Sequence, residues 1–124
     1  MQIPEEKWYQ AIFQRRARRQ LDGRTLESLC FTMPREPLPK WISSALEAAR
    51  LAPSAVNRQP WRFSVEAGSI KISVDNDRDT YNLSKRLDCG IAMAHIEIGA
   101  AHEGVAGQWE YLASPDVARF KSLV

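Results

Sequence analysis

The chain has little of what several common chemistries require. It holds two cysteines and two histidines in 124 residues. Cys30 and Cys89 lie far apart in apolar surroundings, with no Cys-x-x-Cys or Cys/His spacing, so the expectation is reduced, buried thiols in a cytoplasmic protein rather than a disulfide framework or zinc site. His95 and His102 would share one helix face about 10 Å apart along the axis, too far for one metal ion, and read as packing or interface side chains. No Ser/His/Asp arrangement and no paired carboxylates stand out. No apolar run approaches the roughly 18 residues of a membrane span, and the opening MQIPEEKWYQ has no basic-then-apolar signal pattern. An excess of one charge is missing as well. Lys and Arg total 17 against 15 for Asp and Glu, a net +2, which argues against a nucleic-acid partner. There is no internal repeat and no low-complexity segment.

What is present is ordinary globular composition, 44% hydrophobic and 26% charged. A chain of this length reads as one domain, 1–124, able to bury about two thirds of its unfolded surface. A helix is expected from Pro4 to Arg18, with Trp8, Tyr9, Ile12 and Phe13 inward. Arg24–Met33 reads as a short helix and Pro34–Pro39 as an extended linker. Trp61–Glu66 and Ile70–Asp75 alternate apolar and polar residues around Ala67-Gly68-Ser69, a β-hairpin. Asp88–Glu103 is the most apolar helix, with Asp88 as N-cap and Gly104 as its stop. Along it Leu87, Ile91, Ala94, Ile98, Ala101 and Val105 recur at 4-3-4-3-4 spacing, and Ala92, Met93, Ile96 and Ala100 widen the apolar surface, so it should sit centrally or in a subunit interface. Ser114–Val124 is expected to end the chain as a short helix.

The stretch Ala45–Phe63, ALEAARLAPSAVNRQPWRF, organises the rest. Trp41, Ile42, Ala45, Leu46 and Ala49 set a helical stripe, with Pro39 in its first turn. Ala48, Ala49 and Ala52 leave the helix thin, open to another backbone or a flat ligand. Pro53 stops it. Ser54, Asn57 and Gln59 follow, and carboxamides donate and accept at once, which suits the edge of a planar heterocycle or a polyol. The competing reading is a solvated helix-to-strand connection. Upstream, Arg15, Arg16, Arg18 and Arg19 crowd into one cluster. It is open to three readings: a solvated helix end that complements the dipole, a nucleic-acid patch, or a phosphate clamp.

The string AARLAPSAVNRQPWRF resembles the flavin-contacting loop of the nitroreductase family of FMN-dependent oxidoreductases, most of all its TM1586-like branch. YQAIFQRRARRQLDG is similar to the family's basic segment, and Gly104–Trp109 to its helix–glycine–tryptophan segment. The resemblance implies a compact α+β fold, with helices packed on a small, mainly antiparallel sheet. It implies FMN as cofactor, with Arg15, Arg16 and Arg19 toward phosphate and ribityl chain. Pro53, Ser54, Ala55 and Asn57 would face the ring, with Gln59 and Gly107 as further contacts. It implies NAD(P)H and a small aromatic acceptor, a nitroaromatic or a quinone, as reaction partners, and a homodimer whose two chains meet at one flavin. Ala17 stands where the family pattern has serine, which removes one hydrogen bond. The basic segment and the loop also lie closer together than the resemblance implies. The alternative is therefore a non-catalytic dimerisation or interaction module that has lost flavin chemistry.

Overall fold

A computed structural model describes residues 7–12, 26–32, 37–54, 58–66, 68–76, 78 and 84–123. In chain order these form α1 (residues 7–12), α2 (Leu26–Leu29), β1 (Cys30–Thr32), α3 (Lys40–Arg50), β2 (Trp61–Glu66), β3 (Ser69–Val74), α4 (Lys85–His102), β4 (Gly107–Tyr111) and β5 (Asp116–Ser122). The fold is α+β, as the resemblance implies. One five-stranded sheet runs in the order β1-β2-β3-β5-β4. Only the β1–β2 pair is parallel; the others are antiparallel.

The central hairpin is formed as expected. Gly68 turns it at φ +69, a conformation that costs glycine nothing, and Phe63 faces Ile72 across the register. The α3 stripe is equally faithful: Ile42, Ala45, Leu46, Ala48 and Ala49 are buried. Pro39 sits one residue earlier than expected, at the N-cap, where its carbonyl accepts from Ile42 and Ser43.

Three expectations are corrected. Of the helix expected over Arg24–Met33 the described residues give Leu26–Leu29, and Cys30–Thr32 leaves it as a strand beside β2. Parallel pairing with β2 overrides a weak local helix preference, since strand choice follows cross-strand packing more than intrinsic propensity. The tail is not a helix. Asp116–Ser122 is β5, inserted between β3 and β4, where it supplies hydrogen-bond partners to the edge of β3 that β2 does not cover. Asp88 is not the N-cap of α4. Ser84 takes that place, its Oγ accepting from the Arg86 N–H, and Asp88 stands in the first turn.

The C-terminus of α4 closes as expected. Gly104, at φ +77, donates to Ala101, and Val105 donates to Ala100, the paired bonds of a Schellman stop. The side of α4 that faces the core is less obvious. Asp88, Cys89, Ala92, Ile96, Gly99 and Ala100 are buried against α3 and the sheet. Of the regular stripe, Leu87 and Ile91 are 69% and 39% exposed. Its C-terminal part meets another element: Ile98 packs with Ile12, Ala48, Leu51 and Tyr9 in a small cluster under α1. No helix among the described residues is long and apolar enough to cross a membrane.

Candidate functional site

The end of α3, the start of β2 and the first turn of α4 converge on the loop between Ala52 and Trp61. Leu51 closes α3, donating to Ala48, and Ala52 donates to Ala49. Pro53 and Ser54 are then half-buried and Gln59 and Pro60 buried. The loop is held by its own serine: Ser54 Oγ accepts the Gln59 backbone N–H at 2.9 Å. Gln59 adopts φ +48, the left-handed region that a residue bearing a Cβ enters only under tertiary constraint. Arg62 Nη1 donates to the Gln59 carbonyl at 3.1 Å and to that of Trp61 at 2.6 Å.

A buried ion pair fastens this loop to α4. Arg58 Nε donates to Asp88 Oδ2 at 2.8 Å, and the two side chains are only 11% and 6% exposed. A second bridge lies beside it, where Lys85 Nζ donates to Asp75 Oδ1 and Asn76 Oδ1, each at 2.8 Å. The polar segment after β3 thus neutralises a buried lysine. The indole N–H of Trp61, next to the loop, is buried without a hydrogen-bond partner.

α3 receives another backbone, that of α4, at Ser44 and Ala45 in its middle rather than at the thin end expected at Ala48, Ala49 and Ala52. A Cβ on Gly99 would stand 2.6 Å from Ala45 Cα. Cys89 is buried below the Asp88 turn, and burial together with the Asp88 carboxylate pushes its thiol up to about 12; burial alone pushes the Cys30 thiol up to about 11. Neither is a thiolate near neutral pH, so neither suits a nucleophile. The histidines are packing groups. His102 stacks on Tyr9 at 3.8 Å with planes 4° apart, and His95 Nδ1 lies 3.0 Å from the Ile91 carbonyl.

Of the residues singled out in the sequence, Pro53, Ser54 and Gln59 come together here. Arg15, Arg16 and Arg19, with Ala17, Ala55 and Asn57, lie outside the described residues. Gly107 is elsewhere. It begins β4 and pairs with Ser122, whereas Trp61 pairs with Val74 at the other end of the sheet; Asp88 and Ala101, which mark the two regions on α4, stand about 20 Å apart along its axis. The space left by its missing side chain is filled by Phe120, whose ring an added Cβ would overlap. Beside it is a cavity of about 350 Å³ lined by Glu97, Ala101, Gly104, Ala106, Gly107 and Phe120. The Arg58–Asp88 pair has no signature in the sequence. An arginine in a loop and an aspartate in a helix first turn are common, and nothing local couples them.

Comparison with known proteins gives the family and the fold. Residues 14–100 match the family described as "Putative TM nitroreductase". A protein named "Putative NAD(P)H nitroreductase acg", from two strains of Mycobacterium tuberculosis, is 31% identical over 80 residues, which is 60% of this chain and 24% of the relative. The chain thus spans about a quarter of the length of the curated relatives it matches. Among solved structures, a putative nitroreductase (TM1586) from Thermotoga maritima superposes with TM-score 0.61 at 27% identity, over 82% of this chain and 42% of that one. A putative NADH dehydrogenase/NAD(P)H nitroreductase from Bacteroides thetaiotaomicron shares the fold, with TM-score 0.56 at 20% identity, over 73% of this chain and 77% of that one.

Proposed function

The chain belongs to the family described as "Putative TM nitroreductase", and from that premise we propose an FMN-dependent oxidoreductase that reduces nitroaromatic or quinone-like acceptors with NAD(P)H. The observation that carries this reading is the clamped loop: Ser54 caps Gln59, and Arg58 ties the loop to Asp88. The donor set suits a flavin ring. Ser54 accepts from Gln59 and keeps its own hydroxyl hydrogen to donate, the Trp61 N–H is an unused donor at the base of the loop, and the nearby carboxylates of Asp88 and Asp75 are neutralised by Arg58 and Lys85.

In this reading Pro53, Ser54, Ala55, Asn57 and Gln59 hold the ring, and Arg15, Arg16 and Arg19 hold phosphate and ribityl chain, where guanidinium forks bond phosphate oxygens in pairs. The flavin, when bound, supplies hydride acceptance and electron transfer. The chain's residues bind it, orient it and limit water. Gly107 is not placed against the ring, since Phe120 fills its side-chain position and the loop is at the other end of α4. The exposed Leu87 and Ile91 on α4 support a homodimer, and they equally favour the second reading, a dimerisation or interaction module without flavin chemistry.

The test is the visible spectrum of the full chain after incubation with FMN and desalting, with its mass in solution. Retained flavin on a dimer, bleached by NAD(P)H, is the expected result. A folded, colourless protein would sink the oxidoreductase reading and leave the module.

A further inference from the structure

We propose that the outer edge of β4 binds a second copy of this chain in an antiparallel pair centred on Trp109, with Tyr111 of each copy seated beside Gly107 of the other. β4 ends the sheet order, and among the described residues no strand pairs with its outer side. The phase of its ladder is known from the inner side. Leu112 donates to Val117 and Leu123 donates to Ala106, both at 3.0 Å, and between these rungs Gln108 faces Lys121 and Glu110 faces Arg119. Antiparallel partners alternate between bonded and non-bonded positions. Residues 106, 108, 110 and 112 therefore bond inward, and the N–H and C=O groups of Gly107, Trp109 and Tyr111 point to the open edge.

Two such edges can join only in registers that set these three residues against one another. Centring on Trp109 places Gly107 against the partner subunit's Tyr111, Trp109 against the partner subunit's Trp109, and Tyr111 against the partner subunit's Gly107. That register alone pairs every outward donor and acceptor of the strand. Side chains then agree with backbone. Gly107, Trp109 and Tyr111 share one face, the helix side, because Trp109 packs on Phe120 at 5.0 Å. Tyr111 is 78% exposed. Opposite it in the pair lies a glycine whose side-chain space Phe120 fills, with a cavity of about 350 Å³ next to it, so the incoming ring enters beside Phe120 and extends the Trp41–Phe120–Trp109 cluster. On the outer face the partner subunit's Gln108 meets Glu110, which Arg119 already neutralises at 2.8 Å. A carboxamide donor meets a carboxylate, and no like charges oppose.

This surface touches α4 only at its C-terminal end, by Glu97 and Ala101, away from the exposed Leu87 and Ile91 in its first half, so Leu87→Lys with Ile91→Lys serves as background to remove association through that part of the helix. In that background, without flavin, the chain is expected to remain a concentration-dependent dimer by sedimentation. Tyr111→Pro deletes one outward N–H without touching an inward rung and is expected to weaken association by about a hundredfold; Tyr111→Ala, which keeps the N–H, should weaken it less. Residues 108 and 110 of the two copies would be a non-bonded pair with Cα atoms about 4.5 Å apart, within disulfide range. A mixture of Gln108→Cys chains with Glu110→Cys chains is therefore expected to cross-link on oxidation faster than either alone. A monomer at all concentrations, or a mixture that cross-links no faster than its components, would overturn the proposal. If Tyr111→Pro fails to fold, the cross-link decides alone.

Discussion

Gly99 of α4 and Ala45 of α3 meet backbone to backbone: a Cβ added at Gly99 would stand 2.6 Å from Ala45 Cα and 2.6 Å from the Ser44 carbonyl oxygen. This contact sets how closely the two helices pack, and through α4 it sets the height of the Asp88 turn beneath the candidate loop. Gly99→Ala has no flexible side chain to displace, so the helices must part. The expected loss is about 1–3 kcal/mol, the usual range for overpacking, even after the better helix propensity of alanine. Gly90 is the control. It lies in the same helix with nothing within 4 Å, and Gly90→Ala should raise stability by about 0.5–1 kcal/mol. Urea midpoints for the two variants, moving in opposite directions, check this.

Removing one member of the Arg58–Asp88 pair leaves the other charge buried without this partner. Asp88→Ala is expected to cost about 3–5 kcal/mol, the range for breaking a buried pair from one side. Arg58→Met combined with Asp88→Leu should cost less than Asp88→Ala alone, because no charge is left buried. Denaturant unfolding of the single and double variants measures the coupling.

Ser54→Ala deletes the acceptor of the Gln59 N–H and with it the restraint on a residue at positive φ. The expected cost is about 1–3 kcal/mol for an unsatisfied buried donor. If the loop holds a flavin ring, the FMN dissociation constant rises by more than in Ser43→Ala, an exposed α3 serine. Equal affinities in a flavin titration would separate the loop from cofactor binding.

The thiol of Cys89 is raised to about 12 and that of Cys30 to about 11 from a usual 9.0. The unfolded chain therefore loses these protons at lower pH than the folded one. Below about pH 9 their contribution to stability is complete; above it the unfolded state binds fewer protons, and stability falls as pH rises toward the folded values. Unfolding free energy followed from pH 8 to 11 should decline, and Cys89→Ala should flatten part of that decline. Alkylation of the folded chain at pH 8 should be slow beside that of a model thiol.

Leu87→Lys with Ile91→Lys should leave the thermal midpoint of the isolated chain nearly unchanged, since Leu87 is 69% exposed and Ile91 39%. Association through α4 in addition to β4 predicts a lower mass by light scattering for this variant than for the unaltered chain at the same concentration, with the β4 pair keeping it above the monomer. An unchanged mass would remove α4 from the assembly.

Short-range physics made much of this protein legible from its residues. The Trp61–Glu66 hairpin, the α3 stripe and the glycine stop at Gly104 each depend on a handful of neighbouring dihedrals and side chains, so periodicity and conformational preference suffice. The family resemblance likewise rests on contiguous strings around Ser54 and Gln59. Other features were decided by tertiary structure. α4 is apolar nearly all round, and its own pattern could not say that Cys89, Ala92, Ile96 and Gly99 would face inward while Leu87 and Ile91 faced out; the close approach at Ala45 decided it. Asp116–Ser122 suits a helix or a strand, and the open side of β3 made it a strand. The Arg58–Asp88 pair, and the fit of Phe120 over Gly107, join residues far apart in the chain. No local signal couples such residues, because the free energy that joins them exists only after the helices have closed on the sheet.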